Sequence, residues 1–249
     1  SPNMLLRLLL LLFLGTCVRT QDQNDGMECS GSSESDGTCK PLETEWWDEL
    51  WSIGEMWELF GCDEIFASAR PVHNQSTWML MRGVYHGVVG PNASSISPLS
   101  YESGFPPPIE AKQAGPKGRG VFAAGTVKKG DMVWTAKRNR AKWGDGPSYR
   151  KFLISIPTDL ACDVLQWAYV QSFSDEENDY ESDLLICADL DEGSFMNSAS
   201  YDEEPNVGCT PSPEEKCKDN MYALRDIEVG EELLCNYGDF AVPHGWQSF

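Results

Sequence analysis

The sequence predicts a mainly β protein with short helices, of the α+β class, preceded by a helical N-terminal extension. From residue 117 onward, short apolar segments alternate with glycine-containing turns, a pattern typical of sheets built from short strands. Upstream, apolar residues between Trp46 and Phe60 recur at helical spacing. The chain has 249 residues, of which 41% are hydrophobic, and this is enough for a domain with a real core.

Residues 1–20 have the pattern of a secretory signal peptide. Met4 and Arg7 precede an apolar run at residues 8–14 that is too short to span a bilayer as a helix, and small residues follow at 15–17. We expect cleavage, no stable membrane span afterwards, and a location in the secretory pathway, either the lumen of the endoplasmic reticulum or outside the cell. Two alternatives stay open: a membrane anchor, if further residues lie upstream, and a nuclear or cytosolic location, if the signal is misread.

The charge balance limits the classes of partner. The chain has 39 acidic against 19 basic residues, giving a formal net charge of −20. Nucleic-acid binding requires a positive surface, so we expect no direct contact with nucleic acid. A basic protein or peptide is the partner that the charge favours, although an acidic surface also serves solubility alone.

Cysteine usage permits disulfide bonds. Nine cysteines are present, and cleavage after Cys17 would leave eight, an even number that fixes no connectivity. Cys29 and Cys39 could close one small loop, and Cys209 and Cys217 another. No pair has C-x-x-C spacing and the three histidines are scattered, so we predict no metal site.

The extension covers residues 41–108 and follows an acidic, flexible linker at residues 21–40. Its amphipathic helix is predicted to begin with Thr44 as the N-cap and to end at Gly61. The apolar face of this helix either docks on the following domain or forms a groove for a partner. Residues 77–89 resemble a strand.

The next region is predicted to be mostly β. Residues 120–124 and 132–136 are expected to pair with each other, with a turn at 128–131. Residues 158–173 are predicted to form a helix capped by Thr158. Further strands are expected at residues 184–188, 222–224 and 232–236, the last two separated by a turn at 228–230.

Three segments carry the strongest functional signal. The first is G-R-G-V-F at residues 118–122, the second is F-M-N at 195–197 with E-P-N at 204–206, and the third is A-L-R-D-I-E-V-G-E-E-L-L-C-N-Y-G at 223–238. Each segment alone is weak, since glycine pairs and Gly-Glu-Glu turns are common. In this order and spacing they resemble the signature of the SET domain, the fold of S-adenosylmethionine-dependent protein-lysine methyltransferases.

The resemblance implies a SET-domain β-fold at residues 109–240, with a C-terminal pseudoknot and a tail at 241–249. It also implies that S-adenosylmethionine donates a methyl group to a lysine of a protein substrate, and it places Tyr237 at the catalytic position, where its hydroxyl would orient the amine or the methyl group. The residues expected to bind the cofactor are Gly118, Arg119, Gly120, Asn197, Ser198 and Tyr237.

The chain departs from the family pattern in its second segment. Ser198 stands where the family has histidine, and the path to Pro205 is three residues longer, through residues 201–204. We expect no zinc-binding post-SET cluster, since no cysteine follows Cys235, so another element must close the lysine channel. The aromatic candidates are Phe240, Trp246 and Phe249. Two functions therefore stay open: a protein-lysine N-methyltransferase, or a catalytically inactive SET-fold binding module in the secretory pathway.

Overall fold

The computed structural model describes residues 51–174, 182–209 and 219–249. These residues belong to one compact unit of the chain, which begins at Thr44. The predicted signal peptide, the linker at residues 21–40 and the cysteine pair Cys29 and Cys39 lie outside the described residues.

Five α-helices are described, two of them in the middle of the SET-like region. They are α1 (Ile53–Phe60), α2 (Cys62–Phe66), α3 (Gln75–Val89), α4 (Gly146–Ile154) and α5 (Thr158–Trp167). Short 3₁₀ turns occupy Gly115–Lys117, Glu192–Phe195, Tyr237–Asp239 and Pro243–Ser248.

The described strands are short, as the sequence predicts. They are β1 (Ile109–Gln113), β2 (Arg119–Ala123), β3 (Met132–Thr135), β4 (Arg140–Trp143), β5 (Tyr169–Ser172), β6 (Leu184–Asp189), β7 (Asn197–Ser198), β8 (Val207–Gly208), β9 (Asn220–Ala223) and β10 (Leu234–Cys235).

Four small sheets form from these strands. β1 pairs with β2, β3-β9-β8 form one antiparallel sheet, and β4-β6-β5 form another. β7 and β10 pair in parallel, with Asn197 opposite Leu234 and Ser198 opposite Cys235. This parallel pair joins the two sequence blocks that a SET pseudoknot brings together, and the mainly β fold class is confirmed.

The first helix differs from its prediction at its N-terminus. It begins at Ile53 and is capped by Ser52, whose side chain accepts from the Glu55 amide while the Glu55 carboxylate accepts from Ser52. The predicted N-cap, Thr44, lies outside the described residues. The predicted helix is not continuous through Ser52, whose backbone is extended, because the reciprocal cap there satisfies the free amides of a helix start. The predicted end is confirmed: Gly61 has a φ of 66°, the left-handed conformation typical of a glycine cap.

The strand predicted at residues 77–89 is wrong, since this segment is α3. Asn74 caps it by accepting a hydrogen bond from the Thr77 amide at 3.0 Å. The buried residues follow a helical spacing of three and four: Trp78, Met81, Arg82 and Tyr85. The apolar content of this segment is compatible with either a strand or a helix, whereas the spacing of its buried residues is that of a helix.

Two further predictions need correction. The helix predicted at residues 158–173 ends at Trp167, and Tyr169–Ser172 pairs with β6 as strand β5, so long-range pairing overrides helical periodicity there. Its N-cap is Pro157, and no side chain caps it. The strands at residues 120–124 and 132–136 exist, but β2 pairs with β1 and β3 with β9.

A disulfide between Cys62 and Cys162 fixes the extension to helix α5. Both cysteines are fully buried, and α1 and α2 pack on the domain core through their apolar residues. The amphipathic face was expected either to dock on the following domain or to form a groove for a partner. For α1, docking is therefore confirmed. Cys209 is also disulfide-bonded, and its expected partner Cys217 lies outside the described residues. Within the described part of the chain, no helix has the length and apolar character needed to cross a membrane.

Candidate functional site

A cavity of about 510 Å³ opens where the predicted motif segments meet the extension. One side, which we call the motif wall, comprises residues 118–119, 195–197 and 237. The other side, the extension wall, comprises residues 66–70 from the end of α2 and the segment after it. Of the residues predicted to bind the cofactor, Gly118, Arg119, Asn197 and Tyr237 line this cavity.

Gly120 and Ser198 do not line the cavity. A Cβ on Gly120 would approach a Glu232 carboxylate oxygen to 2.6 Å, so this glycine permits close packing of β2. Gly118 has a φ of 79°, in the region that favours glycine, and it ends the Gly115–Lys117 turn at the edge of the cavity. The two glycines therefore have different structural roles.

Asn197 connects the first and second motif segments. Its amide nitrogen donates to the Arg119 carbonyl at 2.9 Å and to a Glu232 carboxylate oxygen at 2.8 Å. Asn206, which is buried, donates to the Glu232 carbonyl and accepts from the Leu234 amide, both at 2.8 Å. These two side chains bind the three segments together, because they satisfy the Arg119 and Glu232 carbonyls and the Leu234 amide.

Tyr237 follows directly on β10 and lies beside Met196. Its hydroxyl donates to the Met196 carbonyl at 3.0 Å, and its ring contacts Phe240 with a centroid separation of 5.8 Å. The residue as a whole is 46% exposed, but its hydroxyl end is enclosed, and burial raises the pKa of Tyr237 above its ordinary value. The phenol is therefore a neutral hydrogen-bonding group at physiological pH.

Aromatic residues form the apolar part of the cavity. Tyr169 and Phe240 pack edge to face at 4.9 Å, next to Trp134. Behind them, the buried Arg140 donates through Nε to an Asp189 carboxylate oxygen at 3.0 Å, and its guanidinium lies 5.3 Å from the Trp134 ring. The Asp189 carboxylate is thus paired within the protein. Apart from it, this aromatic part of the cavity lining is apolar.

The three aromatic candidates of the tail separate in the structure. Phe240 lines the cavity. Trp246 instead packs on Tyr149 with a centroid separation of 5.9 Å, and the carbonyl of Phe249 accepts from Arg150. Among the described residues, only Phe240 of these three is positioned to wall a channel.

The extension wall was not foreseen from the sequence. It is held by Asp163 on α5, a fully buried carboxylate that lies within 3.1 Å of nitrogens from Arg70, His73 and Arg119. Burial opposes ionisation of Asp163, but hydrogen bonds from His73, Arg119 and Arg70 outweigh it and lower the pKa of Asp163 below its usual value. No local motif marks these residues, because tertiary packing alone brings them together.

The longer path in the second motif segment also contacts the cavity edge. Glu203 accepts from the Lys117 ammonium at 2.5 Å and from the Ser200 amide at 2.9 Å. These bonds lower the pKa of Glu203 to about 2, and the bond from Lys117 has the largest effect. The added residues therefore attach to the Gly115–Lys117 turn. Within the described ranges, no cluster of His, Cys, Asp or Glu side chains could hold a metal ion.

A family model described as the SET domain matches residues 118–238 of this chain. Among curated proteins, none matches at a significant level.

Several solved structures resemble the chain weakly. The Neurospora SET domain protein DIM-5, a histone lysine methyltransferase, is 19% identical over 54% of this chain and 53% of its own, with a TM-score of 0.34. The methyltransferase domain of human histone-lysine N-methyltransferase SETMAR is 17% identical over 54% and 46%, with a TM-score of 0.35. A candidate histone methyltransferase of Plasmodium falciparum is 17% identical over 53% and 94%, with a TM-score of 0.32. The chain spans about half the length of the first two.

Proposed function

The chain carries a SET domain over residues 118–238, and from this premise we propose that it transfers a methyl group from S-adenosylmethionine to a lysine of a protein substrate. The observation that carries the proposal is the parallel pairing of β7 with β10, which brings Asn197 and Tyr237 to one cavity. Charge supports a basic substrate, since a protein with a net charge of −20 attracts Lys-rich peptides.

The cavity suits S-adenosylmethionine in size and chemistry. Its volume of about 510 Å³ falls within the usual range for small-molecule sites. The cofactor combines a zwitterionic amino acid with an adenosine group, so it needs charged partners at one end and flat apolar surfaces elsewhere. Arg70, Lys117 and Arg119 provide cations, and Trp167 and Phe195 provide aromatic faces on the same cavity.

The protein residues have distinct tasks in this proposal. When bound, the cofactor supplies an activated sulfonium methyl group, so the protein needs to bind, align and desolvate rather than activate. Gly118 and Arg119 would hold the amino-acid end, and Asn197, which lines the cavity, would contact the cofactor through its main chain and its amide oxygen. Ser198, also expected to bind the cofactor, does not line the cavity and has no contact in this proposal. Trp134, Tyr169 and Phe240 would exclude water around the lysine, and desolvation disfavours the ammonium and favours the neutral amine that reacts.

Tyr237 would orient the lysine amine. Its hydroxyl proton is donated to the Met196 carbonyl, and the Ser198 backbone amide faces the same oxygen, so one oxygen lone pair is left to accept a hydrogen bond from an amine N–H. The raised pKa of Tyr237 argues against a role as a base, because the phenol stays protonated. The proton lost by the lysine ammonium would pass to solvent.

The first experiment compares Tyr237→Phe with wild type. Cofactor binding is measured by calorimetry, and methyl transfer is measured on a panel of basic peptides. We expect Tyr237→Phe to bind S-adenosylmethionine normally but to transfer methyl groups about 100-fold more slowly, because the amine loses its alignment. Tyr201→Phe is the matched control, since Tyr201 is fully exposed and away from the cavity.

Two outcomes would contradict the proposal in different ways. Full activity in Tyr237→Phe would remove the role assigned to this residue. Failure of the wild-type protein to bind S-adenosylmethionine at millimolar concentration would reject the methyltransferase and favour the catalytically inactive binding module.

We also propose that the protein works in the secretory pathway. The Cys62–Cys162 disulfide supports this, since such bonds persist mainly in oxidising compartments. The test is to fuse a fluorescent tag to the C-terminus of the full chain and of a chain without residues 1–20, and to compare where the two are found in cells. Secretion or lumenal retention that depends on residues 1–20 is expected, and a nuclear or cytosolic signal from the full chain would overturn it.

A further inference from the structure

Arg70 brings a cation to the cavity from outside the SET domain. The segment that contains it follows α2, and its side chain is 13% exposed where it lines the cavity. Nε and Nη2 donate to Asp163 at 3.1 and 3.0 Å, and Nη2 also donates to an Asp159 carboxylate oxygen at 3.1 Å. Its guanidinium is therefore fixed in place by two carboxylates of α5.

The buried charges in the cluster around Asp163 do not balance. Arg70 and Arg119 each carry one positive charge, and the fully buried Asp163 supplies one negative charge between them. Asp159 is half exposed, so water screens much of its contribution. A desolvated surplus of positive charge is costly unless an anion joins it, so this end of the cavity is suited to an anionic group.

The position of each cation indicates which one faces the ligand. The Arg119 guanidinium is stacked on Trp167 and Phe195 at 4.9 and 4.8 Å, and it donates to Asp163 and the Pro71 carbonyl. Lys117 is paired with Glu203. Arg70 Nη1, by contrast, makes no hydrogen bond to any residue in the described ranges, which leaves N–H groups for a ligand.

The backbone at Arg70 is also anchored. Gln113, which lies opposite Arg119 in the β1–β2 pair, donates from its side chain to the Arg70 carbonyl at 2.8 Å. This bond keeps Arg70 beside the Gly118–Arg119 end of the cavity. The neighbouring residues of the extension wall, Ala67, Ser68 and Ala69, are small and leave space in front of it.

We propose that Arg70 binds the carboxylate of the cofactor's methionine group, so that the extension completes a binding site that the SET domain leaves open. This inference rests on the proposed use of S-adenosylmethionine. Arg70 is then a cofactor-binding residue located 48 positions before the SET match begins at residue 118.

The test compares two ligands that differ only in this carboxylate: S-adenosylmethionine and its decarboxylated analogue. Dissociation constants are measured by calorimetry on the full chain, without a methyl acceptor. We expect wild type to prefer S-adenosylmethionine by about 10- to 100-fold, the usual value of a charge-assisted hydrogen bond. Arg70→Met should lose this preference by weakening S-adenosylmethionine alone, and Arg70→Lys should keep part of it.

Controls separate binding from structural damage. Arg225→Met removes an exposed cation that pairs with Glu231 away from the cavity, and it should leave the preference unchanged. If Arg70→Met weakens both ligands equally, its role is structural and the inference is wrong. If Lys117→Met abolishes the preference and Arg70→Met does not, the carboxylate binds Lys117 and the inference is again wrong.

A second variant serves if Arg70→Met does not fold. Asp159→Asn removes a competing negative charge while keeping Arg70 and the buried Asp163, so the preference for S-adenosylmethionine should rise by about 2- to 5-fold. An unchanged or reduced preference would contradict the inference. Failure of wild type to bind either ligand would instead reject the proposed function, so the two failures are distinguishable.

Discussion

The two walls of the cavity are built by different forces. The motif wall is held by backbone pairing and amide hydrogen bonds, such as those from Asn197 and Asn206 across β7 and β10. The extension wall has no sheet pairing of its own and is held by a disulfide and a buried ion-pair cluster around Asp163. A binding surface can thus combine a wall defined by local sequence with one defined by a few distant side chains.

The largest effect is expected from Asp163→Asn. This change leaves the guanidinium groups of Arg70 and Arg119 facing a neutral amide, and breaking a buried ion cluster in this way costs about 3–5 kcal/mol of unfolding free energy. Urea denaturation measures it. Asp159→Asn on the same helix is the control, since a half-exposed partner should cost about 1 kcal/mol or less. Equal losses in the two variants would mean that the cluster does not hold the extension wall.

A slightly smaller effect is expected from removing the Cys62–Cys162 disulfide. It closes a loop with a sequence separation of 100, and its loss in the Cys62→Ala/Cys162→Ala variant should cost about 2–5 kcal/mol. Cofactor affinity should fall severalfold as well, because residues 66–70 follow directly on α2.

Thermal unfolding measures the loss of stability, and calorimetry measures the loss of cofactor affinity. The comparison is a Cys209→Ala variant, which breaks the disulfide that Cys209 makes with a partner outside the described residues. Loss of cofactor affinity in Cys209→Ala but not in the double variant would show that the extension wall needs no covalent anchor.

The smallest effect concerns Asp191, on the side of the motif wall. It is fully buried and accepts from the Gly104 and Gly193 amides at 2.8 and 2.9 Å. Burial, aided by the nearby charges of Asp189 and Glu192, raises the pKa of Asp191 to about 7. The folded state then binds this proton more tightly than the unfolded state, so stability should fall by on the order of 1–3 kcal/mol as pH rises from about 4 to 7.

Urea midpoints across this pH range test the role of Asp191. Asp191→Asn should remove this part of the pH dependence, because the amide does not titrate. The exposed Asp202→Asn is the control. An identical slope in wild type and Asp191→Asn would assign the pH dependence to other carboxylates.

The sequence was informative where local patterns determine structure. The glycine turns at residues 128–131 and 228–230 and the β6 strand were predicted close to their observed positions, since they depend on φ preferences and on the alternation of short apolar runs with turns. All six predicted cofactor residues lie in or beside the motif segments, and four of them line the cavity.

Where distant contacts decide, the sequence was not sufficient. β5 follows a helical stretch and becomes a strand only because β6 lies beside it. Likewise, β2 pairs with β1 rather than with the strand that follows it in sequence. Arg70 gave no signal at all, since its environment is supplied by Asp159 and Asp163 from a helix about 90 residues later.

The disulfide has a consequence for how the protein is made. At a synthesis rate of about 5–20 residues per second, Cys162 is made on the order of 5–20 s after Cys62. During this interval Cys29 and Cys39, which precede Cys62 in the chain, are already present. A bond formed in that interval between Cys62 and an earlier cysteine would have to be broken by thiol exchange before the native pair could form. Where such bonds form, the isomerase capacity of the host is expected to limit the yield of correctly paired protein.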